Sequence, residues 1–169
     1  MASVPPEIIS YLERLTTRSR EYYGEKLRSL VLYGSVVRGT FRATSDLDLL
    51  VLLRRSPLSW GKRISQFLNA VLDHPDVERA AARLKQRGLP WRVEPIILTE
   101  GELAARPPLL LDLTEDAMIL EDREGAFEKE IAQVRRRLME LGARRVWLSG
   151  DRWYWVLTSD IRPGEVITI

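Results

Sequence analysis

One stretch of 24 residues constrains this chain more than any other: Leu30-Val-Leu-Tyr-Gly34-Ser35-Val-Val-Arg38-Gly39-Thr-Phe-Arg42-Ala-Thr-Ser45-Asp46-Leu-Asp48-Leu-Leu-Val-Leu-Leu53. It opens with an apolar run read as a strand that ends in a tight turn at Gly34, and it closes with an apolar run, Asp46 to Leu53. The second run lacks polar alternation, so it reads as a central strand covered on both faces. Gly34 and Ser35 follow the first run, Arg38 and Arg42 come in the connection, and the carboxylates Asp46 and Asp48 open the second run.

On a strand, side chains two apart point the same way, roughly 6.6 Å apart along the backbone. Asp46 and Asp48 therefore converge at the start of a buried strand. Two like charges there are costly unless a cation neutralises them. Oxygen ligands of this kind favour magnesium or manganese over zinc. A pair of such ions about 3.5–4 Å apart serves phosphoryl chemistry. At the other end, Gly34 lets the backbone approach a ligand closely. Ser35 starts a short helix and offers a hydroxyl and N-terminal amides to a phosphate. Arg38 follows one turn later, and Arg42 and Ser45 lie in the loop returning to the carboxylates. Phosphate grip and metal pair are thus side by side. Gly-Ser or Asp-x-Asp alone is commonplace; their joint order between two apolar strands is specific.

With these residues in place, the segment resembles the DNA polymerase beta-like nucleotidyltransferase superfamily, and most of all its minimal nucleotidyltransferase branch. The resemblance rests on Gly34-Ser35, Arg38-Gly39, Arg42 and Ser45-Asp46-Leu47-Asp48. It implies a two-metal transfer of a nucleoside monophosphate from a nucleoside triphosphate, ATP by expectation, with release of pyrophosphate. By the same resemblance Asp46 and Asp48 hold Mg2+ or Mn2+ and Ser35 binds the triphosphate. A third carboxylate is expected on a following strand, and Glu94 in Trp91-Arg-Val-Glu94-Pro95-Ile-Ile-Leu-Thr99 is the candidate. The family more often has Asp there. The bland reading of Glu94 is a strand-face residue near Arg92.

The remaining elements follow from periodicity. Pro5-Pro6 suits a helix start, and Ile8, Leu12 and Leu15 continue it to about Gly24. Ile64, Phe67, Leu68, Val71 and Leu72 form a stripe broken at His74-Pro75; Val77, Ala80, Ala81 and Leu84 form a second, closed by Gly88. Trp91 to Thr99 reads as a strand, on an edge or with a bulge because of Pro95. A loop-rich stretch around Arg106-Pro107-Pro108 and a strand near Met118 to Leu120 come next. Phe127, Ile131, Val134, Leu138 and Leu141 form a helix stopped by Gly142. Arg145 to Leu148 and Trp153 to Leu157 make a hairpin turning at Ser149-Gly150-Asp151. The expectation is an α/β (α+β) fold: a mixed sheet of the polymerase-beta-like nucleotidyltransferase type with packed helices and a C-terminal helix plus hairpin. Residues 1–105 form the nucleotidyltransferase core, and 106–169 an extension packed on it as one compact unit.

The bulk numbers agree with a soluble domain: 169 residues, 45% hydrophobic and 30% charged, with net charge +2. No window of about 18 apolar residues predicts a membrane span, and no signal peptide opens the chain, so a cytoplasmic location is expected. There is no cysteine, which excludes disulfides, thiolate nucleophiles and Cys-based zinc sites. The even charge balance does not demand nucleic acid, and the arginine content suits phosphate contacts or genome composition alike. His74, the one histidine, reads as an exposed loop residue. Arg135-Arg136-Arg137 reads as a solvated helix face. The aromatic tail Trp147, Trp153, Tyr154 and Trp155 reads as core closure or a subunit interface before base stacking.

Rival readings are a haloacid-dehalogenase phosphatase, which wants Thr or Val where Leu50 stands, and a glycosyltransferase, for which the chain is short. A third is a catalytically silent module of the same fold: a nucleotide binder, or an antitoxin-like partner of a helical toxin. The acceptor is open between a protein, a small molecule and an RNA end, and a homodimer is compatible.

Overall fold

The computed structural model describes residues 4–148, 152–158, 167 and 169. Its centre is a four-stranded mixed sheet in the order β3-β2-β1-β4, built from β1 (Leu27–Tyr33), β2 (Leu47–Leu53), β3 (Val93–Thr99) and β4 (Ala117–Asp122). β1 runs antiparallel to β2 and β4, while β2 and β3 are parallel. β3 is an edge, which is where Pro95 can lack an N–H without breaking a ladder.

Alternation along β2 divides the core. Leu47, Leu49, Val51 and Leu53 enter one cluster with Ile8, Leu12 and Leu15 of α1 (Pro6–Tyr23), Phe67 of α3 (Trp60–Phe67) and Val77 and Leu84 of α4 (Pro75–Gln86). Leu50 and Leu52 enter the other, with Leu103 of α5 (Glu100–Ala104), Leu110 and Leu113 of α6 (Leu109–Leu113), and Phe127, Ile131 and Val134 of α7 (Ala126–Leu141). The expected double coverage of this strand is therefore met by helices on both sides of the sheet. A separate hairpin, β5 (Arg144–Trp147) with β6 (Trp153–Val156), packs Trp155 against the second cluster. Its expected turn at Ser149-Gly150-Asp151 lies outside the described residues. Among the described residues no helix is long and apolar enough to cross a membrane.

Several expectations need correction. The loop expected around Arg106-Pro107-Pro108 is present, whereas the short helices α5 and α6 on either side of it were not expected; Thr99 and Glu102 cap α5 reciprocally. The α3 stripe slips at Leu68–Leu72, a π-helical turn that leaves Leu68 exposed while burying Val71. β1 starts at Leu27, three residues before its apolar run, because its polar residues find distant partners. Arg28 pairs with Glu100 and Glu124, and the buried Ser29 hydroxyl donates to Asp122 Oδ1 at 2.6 Å. His74 caps α4, its Nδ1 accepting a long 3.4 Å contact from the Asp76 amide. Arg135 leaves the solvated face and donates from Nε and Nη2 to the Thr114 carbonyl at 3.0 and 2.7 Å.

Asp122 is a junction: besides Ser29 it accepts the amides of Phe127 and Glu128, both at 3.0 Å, at the start of α7. That satisfies two first-turn donors and sets an anion at the positive helix end. Asp122→Ala is expected to cost about 2 kcal/mol in urea unfolding, because it removes a cap and strands a buried hydroxyl.

Candidate active site

The strand register assembles the site. Tyr33 of β1 pairs with Asp48 of β2, and Asp48 pairs in parallel register with Glu94 of β3. Register partners share a face, so phenol and carboxylates form a row across one end of the sheet. Asp46 stands just before β2 and completes the acidic group. Asp48 is half-buried; Glu94 is exposed at the edge.

Gly34 shows why the turn has its residue. Its φ is 79°, and a Cβ there would overlap Asp48 Oδ2 and lie 3.0 Å from its Cγ. The close approach read from the sequence is thus first of all an approach to the carboxylate of β2. Behind Gly34 comes the single turn α2 (Ser35–Arg38), with Ser35 half-buried at its start.

Electrostatics at Asp48 are unfavourable to an anion. Its pKa is pushed up to about 6 by burial first, then by the negative charges of Asp46 and Glu94, against the lowering effect of Arg38. Tyr33 is pushed up as well, by burial and by Asp48 and Glu94. Asp46 is relieved otherwise: Arg92 Nε donates to its Oδ1 at 2.8 Å, and Arg92 Nη2 donates to the Thr44 carbonyl at 3.1 Å. Among the described residues no three His, Asp or Glu side chains are already gathered as a cation cage. The donor set nevertheless fits a divalent cation. It is all carboxylate oxygen, and its most buried member is an anion that two acidic neighbours destabilise.

The other predicted residues divide. Arg38 reaches the acidic end, close enough to favour the charged form of Asp48. Its Nη1 donates to Asp116 Oδ2 at 3.2 Å, and its Cζ lies 4.5 Å from the Trp153 ring centre. Ser45 shapes the loop, its hydroxyl accepting the Arg42 amide at 2.9 Å while its own amide donates to the Arg42 carbonyl. The Arg42 side chain stays exposed. Three contributors were missed from sequence. Arg92 was noted only as a neighbour of Glu94; Tyr33 carried the signal of immediately preceding Gly34; Asp116, 78 residues from Arg38, carried no local signal.

The profile of the nucleotidyltransferase domain family matches residues 12–141. A candidate protein adenylyltransferase of Methanocaldococcus jannaschii is 23% identical over 126 residues, 73% of this chain and 78% of the relative. Among solved structures, a toxin–antitoxin complex with AMP-PNP matches over 76% of this chain and 88% of that one, at 17% identity and TM-score 0.46. A candidate nucleotidyltransferase from Sulfolobus solfataricus matches over 73% and 94%, at 21% identity and TM-score 0.39.

The Asp48 shift has a signed consequence. Its folded pKa of about 6 lies above the ordinary 3.8, so between these values the folded state binds more protons than the unfolded one. Stability from this group is present at low pH and is lost as pH rises through about 6. In the absence of divalent cations, Asp48→Asn is therefore expected to gain melting temperature relative to wild type as pH rises from about 4 to 7. Parallel Tm–pH curves for the two proteins would remove the buried-anion description.

Proposed function

The chain belongs to the nucleotidyltransferase domain family, and from that premise we propose that it transfers AMP from ATP to an acceptor hydroxyl with release of pyrophosphate. The observation that carries this reading is the row Asp48–Glu94 with Asp46 beside it, set against a glycine turn that leaves no room for a side chain. Asp46, Asp48 and Glu94 are the residues to hold Mg2+ or Mn2+, which when bound supplies charge neutralisation to the phosphates and acidifies the attacking hydroxyl. Ser35 is suited to bind the triphosphate through its hydroxyl and the backbone amides at the start of α2. Arg38 supplies positive charge beside it. In this reading Glu94, exposed on the edge strand, takes the acceptor's proton on a side-chain oxygen.

A protein acceptor is the reading we favour. The M. jannaschii relative's name gives protein as the acceptor class. A cavity of about 530 Å³ also runs from Glu94 past Arg92 and Trp91 to Lys85, Asp73 and Glu78. Apolar surface with both signs of charge suits a polypeptide better than an RNA end, whose phosphates Asp73 and Glu78 would repel. One observation favours the catalytically silent alternative: Arg92 already occupies Asp46.

Glu94→Gln separates the two. It is expected to leave affinity for a non-hydrolysable ATP analogue within a few-fold while lowering AMP transfer by about a hundredfold, since its work falls on the way to the transition state. Asp48→Asn is expected to abolish transfer as well. Pyrophosphate release is the assay. Wild-type protein that binds ATP and Mg2+ yet releases none with any acceptor fraction establishes the silent alternative.

A further inference from the structure

The family match ends at residue 141, yet the hairpin beyond it reaches Arg38. Asp116, 7% exposed, receives both Arg145, through Nη1 and Nη2 on its two oxygens, and Arg38 Nη1. Two guanidinium groups against one carboxylate leave one positive charge over. The Arg145 contact, on both oxygens, is the better neutraliser of the pair. Arg38 also lies over the Trp153 ring, its Cζ 4.5 Å from the centroid, with Arg145 5.5 Å from the same centroid. An aromatic face attracts a cation without cancelling its charge. Trp153 in turn is fixed by its indole N–H, which donates to Asp112 Oδ1 at 2.7 Å; Trp155 donates to the same oxygen at 2.9 Å. Arg38 Nε is buried and has no hydrogen-bond partner among the described residues, so protein contacts do not use all of the guanidinium's donors.

We infer that the C-terminal hairpin is part of the nucleotide site: Trp153, with Arg145 on Asp116, positions Arg38 and keeps its charge available to the triphosphate. Trp153, Arg145 and Asp116 are positioning residues, acting through Arg38. This rests on the nucleotide reading above. A long flexible arginine beside a polyphosphate loses rotamer freedom on binding, and holding it beforehand removes that cost. The hairpin thereby serves ground-state binding of the triphosphate more than the transfer step.

A double-mutant cycle tests this by titrating a non-hydrolysable ATP analogue with Mg2+. Trp153→Leu is expected to weaken binding about tenfold, and Trp153→Phe, which keeps a ring face, to restore most of it. In an Arg38→Ala background Trp153→Leu should add almost nothing. In transfer assays the loss should fall on KM, with kcat held within about twofold. If Trp153→Leu does not fold, Trp153→Met, which fills the space without a ring, enters the same cycle. Equal losses from the tryptophan change with and without Arg38 would overturn the proposal, as would unchanged affinity in Trp153→Leu. Arg38→Ala with wild-type affinity, while Ser35→Ala weakens binding, would overturn it and leave the nucleotide reading standing. Wild-type protein that binds no nucleotide at all would overturn both.

Discussion

The structure is organised around a carboxylate that has nowhere else to go. Asp48 stands on the central strand with its oxygen against the backbone of Gly34, where any side chain would collide. Burial and two acidic neighbours outweigh the nearby charge of Arg38 and make its anion unfavourable, and among the described residues no guanidinium is hydrogen-bonded to it as Arg92 is to Asp46. A protein keeps such an uncompensated group only if the surrounding fold holds it in place, and here two apolar layers do so. Leu47, Leu49 and Val51 anchor β2 on the α1, α3 and α4 side, while Leu50 and Leu52 anchor it on the α5, α6 and α7 side.

From that strand the functional parts are distributed by register rather than by sequence proximity. β1 brings Tyr33 and the glycine turn; β3, parallel and on the edge, brings Glu94 opposite Asp48 and leaves it open to an incoming group. The opposite charges come from outside the sheet. Arg92 precedes β3, whereas Arg38 is fixed by Asp116, just before β4, and by Trp153 of the hairpin. The candidate site therefore draws on the chain from Tyr33 to Asp116, and with the hairpin proposed above to Trp153. Its acidic part lies at the β2–β3 end of the sheet and its basic part on α2, the segment before β3 and the hairpin, so that opposite charges lie side by side.

Much of this was legible in the sequence because the signals were local. An apolar run without alternation identified β2, and helical stripes found α1, α4 and α7. The Gly34, Ser35, Asp46 and Asp48 cluster lay within one short segment. What escaped notice depended on distant partners. The start of β1 carries Arg28 and Ser29, which look like loop residues until Glu100, Glu124 and Asp122 satisfy them. α5 and α6 are five residues each, too short for periodicity, although Thr99-x-x-Glu102 was a readable capping signal. The aromatic tail was legible as a packing element, but its grip on Arg38 needed the fold. The same holds for Asp112, the common acceptor of two indoles.

The transfer proposed above breaks the bond between the α- and β-phosphates of ATP. It is tested by offering the protein ATP labelled either in the α-phosphate or in the γ-phosphate, with Mg2+ and a protein acceptor fraction. The account predicts that the acceptor takes label from the α position alone, and that the γ label leaves as pyrophosphate. Label transferred from the γ position would make the chemistry phosphoryl transfer and contradict the account.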